Sequence, residues 1–355
     1  MPSVGAVKRM RTAVFHESFA SEERLWDSPT SRTWMVGFTL CLLSMPLWGG
    51  DYMLAMACIV GIHIIATLGL NLTTGNAGLI SLSHGAFLGV GCYTVAWLAK
   101  QGVPFYLALP AAGLLTALLG LLVGLPSLRV KGIYLAIATL AAHFILTFVF
   151  REWDAVTGGV PGTRIPRANL FGFEFRGDRR NFYLIFVCAL VLAVAARNLA
   201  RTHIGRAFVA VRDRDISAEI LGVNLLRTKL TAFAIGAFYA GVAGGLLGYF
   251  YGAITPEYFL LSLSVYYLAA IIVGGLGTVL GSVLGALFMT FVPEALRLLA
   301  HLSSQWFPAV AGLLLPMGQV VFGMLIIVFL VFEPHGLAAI GTRARRFFHL
   351  WPFKT

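Results

Sequence analysis

Charge is what this sequence has least of. Only 12% of its 355 residues are Asp, Glu, Lys or Arg, while 59% are hydrophobic. A soluble domain carries about 25% charged and roughly 45–50% apolar residues. A water-soluble globule is therefore excluded, and so is a disordered chain. Four cysteines are too few for a disulfide scaffold. Cys41, Cys58, Cys92 and Cys188 lie in apolar runs without metal-type spacing and are expected to be buried, reduced thiols. No Gly-Lys pair occurs, which removes the P-loop and with it an ATPase on this chain. H-E-x-x-H and G-x-S-x-G are also missing. No nucleophile–base pair suggests itself, so the expectation is a non-enzymatic protein with neither cofactor nor metal of its own.

What the chain does have is long uncharged runs: 33–50, 52–99, 101–128, 132–150, 181–196, 230–256, 258–293 and 298–332. Barrel strands would alternate apolar and polar residues in runs of about ten. A membrane helix needs about 20 apolar residues. The expected fold class is all-α, a polytopic transmembrane bundle of about 8–10 helical elements. Run 52–99 is predicted to be two helices broken near Thr74-Gly75-Asn76-Ala77-Gly78. Run 258–293, with Gly274, Gly275, Gly277, Gly281 and Gly285, fits two short helices or a pair of half-helices turning back. Pro308 and Pro316 break run 298–332, leaving 318–332 as a span and about 294–316 as a surface or packed segment. No Lys, Arg, Asp or Glu is needed inside a span. This argues against an ion-coupled carrier. His63, His84 and His143 are expected to be packing residues with satisfied nitrogens.

The net charge of +11 is placed as in a membrane protein rather than a nucleic-acid binder. With both termini cytoplasmic, 18 of 26 basic residues fall inside and 8 outside, as the positive-inside rule requires. The predicted organisation is a cytoplasmic tail over 1–32, a transmembrane domain over 33–332 and a cytoplasmic tail over 333–355. Loop 197–229 lies inside and the long loop 151–181 outside. Helix parity then makes 258–293 begin and end outside, as two crossings or a re-entrant pair. The first 31 residues mix bases with Glu17, Glu22, Glu23 and Asp27 and do not read as a cleaved signal.

Four segments carry the functional signal. The first, 69–87, concentrates small and polar residues at membrane depth, among them Asn71, Thr73, Thr74, Asn76, Ser81, Ser83 and His84. Two readings stay open: close helix packing through small residues, or unwound backbone lining a solute path. The second, Leu125–Leu140, is a basic turn entering a helix, explained by the orientation its charge imposes. The third, Thr157-Gly158-Gly159-Val160-Pro161-Gly162, specifies a shaped turn and serves as gate, docking element or plain connector. The fourth, Gly205–Asn224, has a short helix capped by Asp215 or Ser217 and ended by Gly222. Arg212, Asp213, Arg214 and Glu219 line one face beside apolar Ile216, Ile220 and Leu221. That pattern suits a helix docked in a partner's groove, or a solvated amphipathic loop.

These motifs together resemble the membrane subunit of branched-chain amino-acid ABC importers, the LivH/LivM type, and more closely LivM. The likeness covers roughly 35–335. It rests on Leu70-Asn71-Leu72, Gly75–Phe87, Leu128–Leu140, Thr157-Gly158-Gly159, Gly205–Phe208, Ala218–Asn224 and Gly274-Gly275-Leu276-Gly277-Thr278. The resemblance implies an inner-membrane importer core. Its expected partners are a second, LivH-like permease subunit, two cytoplasmic ATPase subunits carrying ATP and Mg, and an external solute-binding protein. It also implies that the coupling helix spans Ala218 and Gly222, which places Arg212, Asp213, Asp215 and Glu219 at the ATPase contact. The 151–181 loop falls on the binding-protein side.

The expected mechanism is alternating access without chemistry on the solute. Polar groups at 71–84 would lower the cost of stripping water from a zwitterion. Urea, short amides and other amino or organic acids remain alternative solutes within the family. A passive channel and a membrane scaffold are the alternatives outside it. A channel has no reason to keep the charged 205–224 loop, and a scaffold predicts no solute-dependent phenotype when the protein is removed.

Overall fold

A computed structural model describes residues 42–166, 169–170, 173–174 and 177–304, with isolated positions at 33, 37, 320, 323, 324, 326–328, 331, 336–340 and 343. The chain divides into Asp51–Ile340 and a second unit, Met1–Gly50 with Gly341–Thr355. In the second unit, 42–48 is helical, and Gly49 donates its N–H to the Met45 carbonyl (2.8 Å). The expected tail 1–32, Cys41, residues 305–319 and most of 332–355 lie outside the described residues.

Within Asp51–Ile340 the long elements are α1 (Asp51–Leu70), α2 (His84–Lys100), α3 (Phe105–Gly124) and α4 (Ile133–Glu152). After the short α5 (Asp154–Thr157) come α6 (Asp178–Arg201), α7 (His203–Asp213), α8 (Asp215–Ile220), α9 (Leu225–Tyr251), α10 (Leu261–Gly274) and α11 (Val279–Ser304). Six described helices are long and apolar enough to cross a membrane, so the polytopic helical bundle read from the uncharged runs is the observed architecture. The strands are two residues each. Thr163–Arg164 (β1) pairs antiparallel with Ala253–Ile254 (β4), and Asn169–Leu170 (β2) pairs with Phe173–Glu174 (β3).

Two helix pairs are interrupted by irregular backbone. α1 runs into a π-helical turn, Asn71–Asn76, and regular helix resumes only at His84. This first break contains the residues expected to interrupt run 52–99. The second, Gly275–Thr278, separates α10 from α11, and Gly275 and Gly277 take φ of +119° and +76°. At 14 residues, α10 is about 21 Å long, shorter than a typical ~30 Å hydrocarbon core. Run 258–293 is thus a short helix returning as a long one. The boundary expected at 294 is not observed. α11 continues through Pro293 to Ser304, as membrane helices often do where neighbours re-satisfy the freed backbone.

The elements sort to two ends. Both breaks, the 125–132 turn, α7 and α8 meet at one, here called the basic end. The β1–β4 pair and Pro256–Phe259 occupy the other, where Phe150 and Phe259 close on Tyr93. The basic end also receives Gly336, whose backbone packs on Gly275.

α9 is the central post. Of its most apolar 18 residues 72% are buried, against 22% for peripheral α6. It packs on α1, α2 and α3. At the α2–α9 crossing, a Cβ on Gly91 would fall on the Gly241 backbone, and one on Gly244 would fall on the Leu88 carbonyl. Backbones this close gain dispersion contacts that larger side chains would prevent, and lipid supplies no competing hydrophobic force. The cysteines follow expectation in part: Cys58 and Cys92 are buried, whereas Cys188 is half-buried.

Gly244→Val is expected to lose about 1–3 kcal/mol through overpacking, read as a lower thermal midpoint of the detergent-purified chain. Gly50→Ala, where the added methyl meets open space, should leave the midpoint unchanged.

Candidate functional site

The polar residues of the first break are buried, apart from half-buried Thr74, and most bond within the protein. Asn71 is 3% exposed and uses its whole amide. Its Nδ2 donates to the Thr278 carbonyl and the Ser282 hydroxyl, both at 2.8 Å. Its Oδ1 accepts the Gly277 N–H at 2.8 Å. One side chain thereby joins the two breaks. Thr73 Oγ1 donates to the Ala232 carbonyl of α9 (3.1 Å), and Thr74 Oγ1 to Leu79 (3.0 Å). Ser81 and Ser83 share a hydroxyl bond of 3.1 Å. His84 Nε2 lies 2.9 Å from the Ala66 carbonyl, an acceptor only, so Nε2 carries the hydrogen. Asn76 is buried beside them. The bonds to the Thr278 and Leu79 carbonyls and from the Gly277 N–H satisfy backbone that the helix breaks leave open.

The other histidines depart from expectation. His63 packs against the rings of Tyr266 and Tyr267, at centroid distances of 5.3 and 5.4 Å. Its Nδ1, like that of His143, is buried without a partner among the described residues.

At the opposite end, the Thr157–Gly162 turn is shaped as its composition predicts. Gly158, Gly159 and Gly162 all have positive φ. Thr157 is buried, donates to the Trp153 carbonyl (2.8 Å) and accepts the Gly159 N–H (3.2 Å). A side chain at Gly162 would strike the Ile254 carbonyl, so the turn is seated on β4.

Two helices at the basic end form the other candidate element. α7 is anchored by Phe208, which is fully buried with Ala77, Leu79, Leu135, Ala232 and Phe233. One turn later Arg212 Nη1 donates to the Gly75 carbonyl (2.9 Å), and its Nε donates to Asp213 (3.2 Å). Asp215 starts α8 and accepts the Ile216 N–H (2.9 Å). α8 ends in a Schellman motif: Val223 N–H bonds to the Ala218 carbonyl, and Gly222 N–H to Glu219, both at 2.9 Å. Gly222 has φ +88°, which is why the sequence places glycine four residues after Ala218. Ala218 is buried, while Ile216, Ile220 and Leu221 are 68%, 81% and 83% exposed.

Three residues here were missed by the sequence reading. Lys131, read as an orienting charge alone, forms an ion pair with Asp215. Lys229, assigned to a loop, sits within α9, is 5% exposed and donates to the Ser127 carbonyl (3.2 Å). Gly277 supplies the N–H that Asn71 accepts. Their only signal was distant charge of opposite sign and a glycine cluster, neither of which names a partner. A cleft of about 220 Å³ lies among these groups, lined by Gly78, Lys131, Gly132, Arg214, Asp215 and Lys229.

The hydrogen bond from Lys131 holds the Asp215 carboxyl below its usual value, with the Ile216 N–H and the Lys229 charge acting in the same direction. A depressed carboxylate stabilises the fold fully above its unfolded value of about 3.9 and loses that contribution as pH falls through the lower folded value. Amide protection over 214–222, corrected for intrinsic exchange, should therefore be constant above about pH 4 and drop below it. Asp215→Asn should be less protected at neutral pH and show no such drop.

Comparison with known proteins fits this architecture. Residues 52–330 match the family described as branched-chain amino acid transport system, permease component. The chain is 34% identical over 291 residues to the high-affinity branched-chain amino acid transport system permease protein LivM of Escherichia coli K12, covering 75% of this chain and 68% of that protein. It is 36% identical over 267 residues to LivM of Salmonella typhimurium, covering 68% and 63%. Against the probable branched-chain amino acid transport permease protein LivH of Methanocaldococcus jannaschii it is 28% identical over 304 residues, covering 82% and 93%. No solved structure matches. The chain is a multi-pass membrane protein and belongs to the family of branched-chain amino acid transport permeases.

Proposed function

We propose that this chain is one of two membrane subunits of an ATP-driven importer, carrying branched-chain amino acids inward across the inner membrane with both termini in the cytoplasm. The observation that carries the reading is α8. It is a capped helix at the basic end presenting Ile216, Ile220 and Leu221 to solvent. Three large apolar side chains on one short charged helix are costly in water and favourable in a partner's groove. Family membership makes an ATPase subunit the natural occupant, with ATP and Mg held there. The second permease subunit would be LivH-like, and an external binding protein would deliver solute near the Thr157–Gly162 turn. Asp213, Asp215 and Glu219 would meet basic groups of the ATPase.

The solute-path assignment of Asn71, Thr73, Thr74, Asn76, Ser81, Ser83 and His84 belongs to the same proposal in a narrower form. With most of their polar atoms bonded inside the fold, these residues serve the path by holding its backbone and expose a carbonyl or N–H only when the break opens. A zwitterion leaving water needs such groups, because unmatched polar atoms cost several kcal/mol in an apolar medium.

Cells with the binding protein present, with and without this chain, should differ in uptake of labelled leucine and not of labelled urea. Loss of urea uptake alone would move the chain to an amide branch of the family. Ile220→Asp should cost at least ~2 kcal/mol of docking, as expected of an interface anchor, read as loss of co-purifying ATPase and of uptake. Flux that survives Ile220→Asp would identify a passive channel.

A further inference from the structure

We propose that Arg212 is a positioning residue that transmits motion of the α7–α8 pair to both helix breaks at once. The inference rests on the importer reading and adds to it a route from the docking helix into the bundle. The Arg212 guanidinium occupies the one place where the two breaks and α7 converge. Nη1 donates to the Gly75 carbonyl in the first break (2.9 Å). A Cβ built on Gly277 in the second break would stand 3.0 Å from the same Nη1. A Cβ on Gly78 would lie 2.7 Å from Arg212 Cγ, and Gly78 and Gly277 both have positive φ. The glycines thus do two things: they turn the chain, and they leave a slot for the arginine stem.

From this point the polar chain continues. Asn71 lies on the same π-helical turn as Gly75 and binds Gly277, Thr278 and Ser282. Displacing α7 along its axis therefore pulls on Gly75, and through Asn71 on the start of α11. The nearby Phe208 cluster holds α7 to the first break, α4 and α9 by undirected packing and includes no residue of the second break. The guanidinium provides a directed link near both breaks, since its planar fork fixes donor directions that a single ammonium does not. Arg212 does face solvent in part, with its side chain 38% exposed. It is nevertheless the α7 group that reaches inward, whereas Ile216, Ile220 and Leu221 of α8 face outward.

The test uses the assembled transporter in proteoliposomes, with ATP hydrolysis and solute uptake measured together. In R212A the uptake per ATP hydrolysed should fall about ten-fold, the size of a coupling energy between sites. Arg212→Lys keeps a charged donor within reach of the Gly75 carbonyl but loses the fork, and should recover only part of the uptake. Unchanged uptake in R212A overturns the proposal. So does a parallel loss of hydrolysis and uptake, which would mean a docking or folding role.

If the wild type shows no ATP-dependent uptake, the importer reading fails, and amide exchange of the full chain decides the link alone. Faster exchange in R212A at both 71–83 and 275–278 sustains it. Faster exchange at one break, or at neither, overturns it.

Discussion

The constraint on which the structure depends is that backbone polar groups cannot be left open inside a membrane protein. Two stretches of this chain leave the helix within the bundle, at its basic end, and each breaks the regular i→i−4 pattern. The bundle resolves this with a single amide side chain. Asn71 has three hydrogen-bonding contacts at 2.8 Å and directs all of them to residues 277–282. The first break thus solves the second one's problem. Gly85 N–H, bonded to Ser264 Oγ (2.8 Å), and Leu82 N–H, bonded to Thr139 Oγ1 (3.0 Å), complete the set with groups from α10 and α4. Such irregular backbone persists because neighbouring helices meet its needs, and it can change only if those helices move together. That property suits the alternating access proposed above.

The same constraint explains the distribution of small residues. A helix can supply hydrogen bonds to a neighbour's break only if it approaches closely. α9 does so, with Gly236 against Thr73 and Gly69, and Gly244 against Leu88. Thr73 then reaches the Ala232 carbonyl across that contact. Dispersion between close backbones and the polar bonds across them are parts of one arrangement, and neither forms without the other.

Much of this was legible in the sequence, and the reason is physical. Uncharged runs report the bilayer directly, because each charge at depth is expensive; hence the spans and the break near Gly75 could be placed by inspection. The cap at Gly222 was legible because a left-handed residue after a short helix selects glycine. The pairings were not. Nothing local to Asn71 points to Gly277, some 206 residues away. Lys131 looked sufficient as an orienting charge until Asp215 was found beside it. Lys229 was placed in a loop because a lysine inside a helix of an apolar bundle is unexpected. Its ammonium reaches the Ser127 carbonyl, which is how this basic side chain is accommodated near a helix end. A helix end near 294 was expected because an uncharged run stops at Glu294, and a charge does not reveal that the helix continues past it to Ser304.

Polarity is divided between α7 and α8 in a way that bears on the proposed coupling. α7 turns its large apolar residue, Phe208, inward and is anchored. α8 turns Ile216, Ile220 and Leu221 outward and is tethered at its first residue by the Lys131–Asp215 pair. An exposed ion pair contributes little to stability, so that tether guides α8 more than it holds it. A helix rigid in itself through its Schellman cap, lightly guided at one end and joined through Arg214 to an anchored neighbour, is a lever rather than a plug. It is joined to α7 through Arg214 and to α9 through Leu221–Asn224. In the proposed importer, motion would enter the bundle at the breaks, where α7 makes its polar contact and where the helices are already interrupted.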